Sequence, residues 1–343
     1  ARLALEGLPW EYGDAAEMQR LSAKYAGADQ GKVTRVFGAN FIGRMSGKVV
    51  EAFVAKADLL AASPAYSDQS GVDWKTAAAS AAKGLNHIGG VDGMDPTGWT
   101  WYCNVDDIEK LSPTESPAEI LWRGERAKSL SLEEDNFPPT LYGNGRINPT
   151  QNLVDAFPML NGYPVSHLSG EYDENLPYAN RDPRLEAYIL YNGCKAGNTN
   201  KEIFTAADGT TNDALNKVVG RSTRTGYYLR KLLRQDISLD PNAKADQYHY
   251  TPRIRYTEIF LAYAEAANQA YGPQDKGGNG YSAYDVVKKL RHRAGIGRDN
   301  GDAQERSGKD GGTHPQRTSH RTLFRRFPFL GFAPLEEQSD RNR

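Results

Sequence analysis

The sequence predicts a mainly α-helical fold in which helical hairpins carry a large, irregular, loop-rich insertion. Residues 251–294 place apolar and small side chains at helical spacing on both sides of a glycine-rich turn, which is typical of a tetratricopeptide-like hairpin. Residues 30–88 contain a second helix, loop and helix with a similar aromatic and alanine pattern, which suggests a repeated unit. Between the two hairpins, glycine and proline recur too often for long helices.

The amino-terminal helices are bounded by residues that favour helix ends. Asp14 is predicted to cap a short helix that runs to about Ala26, and a longer helical stretch follows from Gln30. We predict that Pro64 ends this stretch, because proline pushes the residue before it out of helical geometry, and that Asp73 caps the next helix. The apolar face of the longer stretch is predicted to contain Val49, Phe53, Ala57 and Leu60.

Composition divides the chain into four parts. These are a first piece of helical scaffold (1–88), an irregular ligand-presenting insertion (89–247), a second piece of scaffold (248–303) and a tail that is expected to be disordered (304–343). Within the insertion, residues 120–122 and 188–191 are predicted to be strands or buried connectors. The second scaffold piece is predicted to begin a helix near Thr251, because Pro252 needs no hydrogen-bond donor in a first helical turn.

The charge balance excludes several classes of partner. Lysine and arginine (42) nearly equal aspartate and glutamate (43), so the net charge of -1 provides no general field for nucleic acid or an anionic membrane. No apolar run reaches the length of a membrane span. The first ten residues lack the pattern of a secretion signal, and we expect the chain to be cut from a longer one.

Signatures of catalysis and metal binding are absent from the sequence. The six histidines have no zinc-site spacing, and no serine lies in a nucleophile elbow, so we expect a protein that is not an enzyme and needs no cofactor. The acidic run 133–135 is predicted to be a solvated turn. Four aspartates, whose spacing does not match a specific calcium loop, leave calcium binding as an alternative: Asp92, Asp95, Asp106 and Asp107. Cys103 and Cys194 are predicted to be buried free thiols, with a disulfide between them as the alternative.

Aromatic residues next to amides are the strongest signal for a ligand site. Flat rings cover the C–H faces of sugars, and amides bond their hydroxyl groups. Two groups in the insertion combine these features, and their members are the predicted ligand-binding residues: Trp99, Trp101, Tyr102 and Asn104 in the first, and Tyr142 and Asn144 in the second. The alternative is that alternation at Trp99 and Trp101 marks a strand that anchors the loop to the core.

Several stretches carry recognisable motifs in a fixed order. Residues 43–68 form a helix that ends in an Ala-Ala-Ser-Pro turn, and residues 180–185 read Asn-Arg-Asp-Pro-Arg-Leu. Residues 225–233 read TGYYLRKLL, and the helix 254–268 is followed by a partner that ends in RHRAGI. Over roughly residues 14–303, this set resembles the SusD/RagB-like glycan-binding lipoproteins of the Bacteroidetes outer membrane.

The resemblance implies a helical fold with tetratricopeptide-like pairs and a role in polysaccharide utilisation. Such a protein would bind oligosaccharide or polysaccharide fragments at the outer-membrane cell surface without cleaving them. It would deliver them to a SusC-like TonB-dependent transporter, and its membrane association would come through a lipid anchor that this chain lacks. The alternative is a tetratricopeptide-type interaction scaffold, in which the helical pairs bind a protein and the insertion is structural.

The carboxyl-terminal segment departs from the family pattern after about Ala303. Codons compatible with residues 317–342, read from the second base of the Arg317 codon, also encode ERRIELCFEGFRFWDLRRWKSNLTE. That string looks like the closing signature of the family. We hypothesise that the tail is translated out of frame, which a nucleotide sequence with an unrelated second frame would disprove.

Overall fold

The computed structural model describes residues 8–25, 29–102 and 115–296, and helices dominate it, as predicted. The helices are α1 (Ala15–Lys24), α2 (Gln30–Phe37), α3 (Gly47–Ala61), α4 (Ser67–Ser70), α5 (Trp74–Asn86), α6 (Ser131–Asn136), α7 (Gln151–Ala156), α8 (Pro183–Tyr188), α9 (Tyr256–Tyr271) and α10 (Ala283–Arg293). The strands are β1 (Ile120–Ser129), β2 (Ile189–Leu190), β3 (Lys195–Ala196), β4 (Lys201–Glu202), β5 (Tyr228–Leu229) and β6 (Gln247–Arg255). Cys103, Asn104, Asp106, Asp107 and the tail 304–343 lie outside the described residues.

Side-chain caps start the helices where the sequence predicts them. The carboxylate of Asp14 accepts a hydrogen bond from the Glu17 amide at 2.8 Å, and that of Asp73 accepts one from the Thr76 amide at 2.8 Å. Both predicted caps are therefore confirmed. At α10, Ser282 and Asp285 form a reciprocal capping box that satisfies backbone donors at the helix start.

Helices α3, α5, α9 and α10 share the main hydrophobic core. Helix α5 packs against both α3 and α9, and alanines at the contacts, among them Ala78, Ala81 and Ala264, have almost no exposed surface. Because an alanine side chain is a single methyl group, the helix backbones can approach closely and fill the core without voids. The larger Tyr263 is also fully buried, and its hydroxyl donates to the carbonyl of Tyr281 at 2.6 Å.

The predicted apolar face of α3 is wrong in part. Val49 is buried, but Phe53 is 42% exposed and Leu60 is 55% exposed, and the buried face instead continues through Ala52 and Ala55. The helix turns its small side chains toward the alanines of α5, because that face allows the closest packing. The predicted single stretch is also interrupted, since α2 ends at Phe37 and α3 begins at Gly47.

The start of the second scaffold hairpin differs from the prediction. Residues 247–255 form strand β6, and α9 begins only at Tyr256, so Pro252 lies in a strand and not in a first helical turn. Strand β6 pairs antiparallel with β1, and Pro252 lies opposite Arg123 beside register irregularities. The pairing partner overrides the local helical pattern, and the irregular register accommodates a residue that has no amide donor.

The insertion contains short strands, short helices and two apolar clusters of its own. Residues 120–122 begin β1, which confirms a strand there. In residues 188–191 only Ile189 and Leu190 form a strand, β2, because Tyr188 ends α8. Strand β2 pairs with β5, and β3 pairs with β4. One cluster contains Trp101, Tyr102, Ile120, Val154, Phe157, Leu185, Tyr188, Ile189, Tyr227 and Tyr250, and the other contains Phe137, Leu141, Leu190, Cys194, Ala196, Ile203, Tyr228, Leu233, Ile237 and Leu239. Cys194 is a buried free thiol in the second cluster.

Buried arginine and aspartate side chains hold the irregular backbone around residues 180–185. The guanidinium of Arg181 donates to the carbonyls of Val154, Phe157 and Pro177 at 2.7, 2.8 and 2.8 Å. Asp182 accepts from the backbone amide of Arg184 at 2.9 Å and forms an ion pair with the Arg184 side chain at 2.7 Å. The motif in this run therefore satisfies loop carbonyls and caps α8.

The acidic run 133–135 does not form a solvated turn. Glu133 is fully buried in α6, where its carboxylate accepts from the backbone amide of Arg234 at 2.8 Å and lies 2.9 Å from Nε2 of His249. The prediction failed because these partners come from distant segments, and the pairing offsets part of the cost of burying the carboxylate. Burial alone would lower the pKa of His249, but the hydrogen bond and charge of Glu133 outweigh it and raise that pKa above its usual value.

A second buried carboxylate, Glu119, joins three segments of the chain. It is 1% exposed and forms ion pairs with Arg255 at 2.9 Å and with Arg293 at 3.1 Å. It also accepts from the backbone amide of Thr257 at 3.2 Å. This network connects the residue before β1 to the end of β6, the start of α9 and the end of α10.

Replacing Glu119 by glutamine should destabilise the fold strongly. The variant removes a buried charge that faces the largely buried guanidinium of Arg293 and the partly exposed guanidinium of Arg255, so we expect a loss of about 3–5 kcal/mol in the free energy of unfolding, measured by urea denaturation. The matched control is Glu258→Gln in α9, which breaks a partly exposed ion pair with Lys56. The control variant should lower the free energy of unfolding by only about 0–1 kcal/mol. Equal losses of stability in the two variants would contradict the central role of Glu119.

The His249–Glu133 pair should make stability depend on pH in a defined direction. Because the pKa of His249 is raised in the folded state, its contribution is fully present below its unfolded pKa of about 6.5 and is lost as pH rises through the folded value. His249→Gln should therefore lose more stability, relative to the unmodified chain, at pH ~6 than at pH ~9. Chemical denaturation at both pH values measures this difference, and an equal loss at both would show that the pair does not titrate as described.

Candidate functional site

The first predicted aromatic group belongs largely to the core. Trp101 and Tyr102 are each 5% exposed, and their rings pack edge to face with centroids 5.6 Å apart. The hydroxyl of Tyr102 donates to the carbonyl of Ala187 at 2.7 Å, and Tyr250 donates to the carbonyl of Trp101 at 3.1 Å. These contacts anchor the loop to the core, as the alternative expects, because buried ring faces have no room for a sugar. Residues 99–102 form a turn, however, and not the strand that the alternative predicts.

Trp99 and the second predicted group are more accessible. Trp99 is half-buried, and its carbonyl accepts from the Tyr188 hydroxyl at 2.8 Å. Tyr142 is 46% exposed and has a left-handed backbone with φ of 65°, and the ammonium of Lys201 lies 5.5 Å from its ring centre. Asn144 is half-buried beside it, and its backbone N–H donates to the carbonyl of Glu134 at 2.9 Å. The structure therefore places the two groups next to different apolar clusters, and ligand contact by either group stays a prediction.

A separate cleft of about 1140 Å³ opens between the segment that precedes α3 and the β1–β6 sheet. One wall consists of residues 39–49, and the opposite wall consists of both strands. The lining includes Asn40, Gly43, Arg44, Ser46, Lys48, Trp122, Arg123, Arg126, Tyr248, Arg253 and Tyr256. The indole N–H of Trp122 donates to the carbonyl of Gly43 at 2.7 Å and so ties the two walls together.

Arginine side chains lie over aromatic rings along the sheet wall. The guanidinium carbon of Arg253 is 4.6 Å from the ring centre of Trp122, and that of Arg126 is 4.1 Å from the ring centre of Tyr248. Stacking of a planar guanidinium on an aromatic face restricts the side chain and leaves its edge of N–H groups directed outward. The rings therefore hold the cationic groups in position.

The electrostatic balance of the cleft is positive, although the whole chain is nearly neutral. Among the residues that the structure describes, five cationic side chains line it (Arg44, Lys48, Arg123, Arg126 and Arg253), against two carboxylates (Glu11 and Glu125). Lys48 forms an ion pair with Glu11, and burial lowers the pKa of Lys48 to about 8, so its ammonium remains largely charged at neutral pH. The cleft can therefore donate many hydrogen bonds to hydroxyl or acidic groups of a ligand.

The residues of this cleft were not predicted as a site from the sequence. Basic residues recur in both strands beside a few aromatic ones, as in ILWRGERAKS and QYHYTPRIR, and this composition is a signal that could have suggested a charged surface. The pairing of the two strands, and their approach to residues 39–49, depend on contacts between distant parts of the chain. Local patterns do not contain that information.

The described residues show neither a metal site nor a membrane span. In residues 8–25, 29–102 and 115–296, no group of three or more His, Cys, Asp or Glu side chains is arranged to hold a metal ion. Two of the four aspartates considered for calcium fall outside these ranges. None of the helices described here is both long enough and apolar enough to cross a membrane.

Comparison with known proteins identifies relatives of the chain. The model of the SusD family matches residues 122–312, a region that includes the sheet wall of the cleft and helices α9 and α10. A SusD-like protein from Bacteroides fragilis NCTC 9343 is 22% identical with a TM-score of 0.58, and the match covers 90% of this chain and 56% of that one. A SusD-like carbohydrate binding protein from the same strain is 21% identical with a TM-score of 0.53, over 82% of this chain and 49% of that one.

These solved structures support the fold. The chain spans about half the length of each of them. The comparison with curated proteins gives no match.

Proposed function

Because the chain belongs to the SusD family, as the match over residues 122–312 establishes, we propose that it binds oligosaccharide or polysaccharide fragments. One structural neighbour is a SusD-like carbohydrate binding protein, which supports this proposal. The helical core acts as a rigid support, and the irregular segments and the β1–β6 sheet present the binding surface.

The cleft beside Trp122 is the observation that carries the proposal. Its volume of about 1140 Å³ lies slightly above the range of small-ligand pockets, ~300–1000 Å³, and so suits a chain of several sugar units. Its walls combine aromatic rings with amide, hydroxyl and guanidinium donors, which match the hydroxyl groups and C–H faces of a sugar. In this proposal, Trp99, Tyr142 and Asn144 are candidates for a second contact surface, whereas Trp101 and Tyr102 fix the loop that carries Trp99.

The proposal also includes a location and a partner. The protein binds glycan at the outer-membrane surface without cleaving it and passes it to a SusC-like TonB-dependent transporter. This part rests on family membership. The alternative is an interaction scaffold that binds a protein through its helical pairs, and the exposed Phe53 and Leu60 on α3 are the feature that favours it.

The binding of the chain to neutral and acidic polysaccharides tests the proposal. Affinity electrophoresis identifies a polysaccharide that is retained, and calorimetry then measures the affinity of its oligosaccharides. Trp122→Ala removes the ring that supports Arg253 and the indole donor that joins the cleft walls, so we expect binding to weaken at least about tenfold, or ~1.4 kcal/mol. Circular dichroism checks that the variant remains folded.

Tyr142→Ala is the matched comparison, because Tyr142 is an exposed aromatic residue outside the cleft. If this variant weakens binding and Trp122→Ala does not, the ligand contacts the second predicted group and not the cleft. Retention of no polysaccharide, together with tight binding to a protein partner, would favour the scaffold and reject glycan binding.

A further inference from the structure

The cationic lining of the cleft points to a particular class of glycan. We infer that the cleft binds a glycan that carries anionic groups, either uronic acid carboxylates or sulfate esters. This inference rests on the proposed function. Three features of the cleft support this inference: the arginines without carboxylate partners, the stacking that orients them, and an unpartnered buried hydroxyl at a helix start.

Two guanidinium groups at the cleft lack carboxylate partners. Among the described residues, neither Arg44 nor Arg253 forms an ion pair, and both side chains are exposed. The guanidinium carbon of Arg44 lies 4.4 Å from the ring centre of Phe41, and that of Arg253 lies 4.6 Å from the ring centre of Trp122. Each of these two guanidinium groups therefore stacks on a ring and still has N–H donors that a ligand can use.

The stacked arrangement favours an acidic group over a neutral hydroxyl. A guanidinium presents parallel N–H donors in a fixed plane, which match the two oxygens of a carboxylate or sulfate. Because stacking already restricts these side chains, less conformational entropy is lost when the ligand binds. A neutral sugar would leave the charge of the arginines uncompensated and would gain only the weaker hydrogen bonds.

A buried hydroxyl adds an independent indication of a ligand. Ser46 lines the cleft and is fully buried, and its Oγ has no hydrogen-bond partner in the part of the chain that the structure describes. It occupies the N-cap position of the 15-residue helix α3 without capping it. Unpartnered buried hydroxyl groups are costly, so a ligand oxygen that accepts from Ser46 would remove this cost. The first backbone amides of α3 add no free donors, because Gly47 and Lys48 donate to the carbonyls of Pro9 and Trp10 at 2.8 and 3.2 Å.

The test uses pairs of glycans that differ only in charge. The first pair is an oligogalacturonide and the same oligosaccharide with its carboxylates reduced to neutral alcohols, and the second is chondroitin sulfate and its desulfated form. We expect calorimetry with the 343-residue chain to show at least about tenfold tighter binding of the charged member of one pair. The pair that shows the difference identifies the carboxylate or the sulfate as the recognised group. Raising the salt from ~0.1 to ~1 M should reduce the preference, because the screening length falls from ~10 to ~3 Å.

Arginine variants connect the preference to the cleft. Arg253→Gln and Arg44→Gln should each reduce the preference for the charged glycan several-fold, whereas Ser46→Ala should reduce it less. The matched control is Arg224→Gln, which removes an exposed arginine that is not part of the cleft lining and should leave binding unchanged.

The possible failures of the two proposals are distinguishable. Equal binding of the charged and neutral members in both pairs would overturn the inference of an acidic ligand, but it would leave the proposal of glycan binding intact. Equal retention of a single-stranded DNA oligonucleotide would also overturn it, because the cleft would then act as a general cation surface. Binding of no polysaccharide at all would overturn the proposed function together with this inference.

Discussion

The buried carboxylate of Glu119 is the interaction on which the helical core and the cleft both depend. It pairs with Arg255 at the end of β6 and with Arg293 at the end of α10. Burial of a charge costs several kcal/mol per ion unless partners compensate it, so these segments can be buried together only in a geometry that satisfies the carboxylate. Trp122 and Arg253 lie within three residues of this network along β1 and β6, and the position of the cleft wall therefore follows from it.

A second constraint on the fold is the burial of the long, irregular insertion. Regular helices satisfy their own backbone groups, and the alanine faces of α3, α5 and α9 need only close packing. The insertion has few regular elements, so its backbone carbonyls need side-chain donors, such as the guanidinium of Arg181 and the hydroxyl of Tyr188. The most recognisable motif of the insertion, residues 180–185, is therefore structural, and it lies outside the cleft lining.

Local rules predicted those features that depend on neighbours in the sequence. The caps Asp14 and Asp73, the alanine contacts, the strand at 120–122 and the short strand at 189–190 belong to this class. Features that depend on distant partners were not predictable in this way. The local pattern of residues 251–255 predicts a helix, but pairing with β1 makes them a strand. Glu133 is predicted to be solvated, but contacts with His249 and Arg234 bury it. The cleft belongs to the second class, because its two walls come from segments that are far apart in the chain.

The two aromatic environments show why ring content alone is a poor guide to a binding site. At the loop of Trp101, tyrosine hydroxyls donate to backbone carbonyls and the rings fill an apolar cluster, so aromatic residues give an irregular segment both packing and hydrogen bonds. In the cleft, Trp122 and Tyr248 also have cations over their faces, but these two rings are only partly buried. A ring that positions a guanidinium contributes to recognition through the donors that it orients. Arg255 also lies 5.5 Å from the ring centre of the buried Trp101, so a cation over a ring does not by itself mark a site. The distinguishing property is that the rings and cations of the cleft remain accessible, and this property becomes visible only when both strands of the sheet are in place.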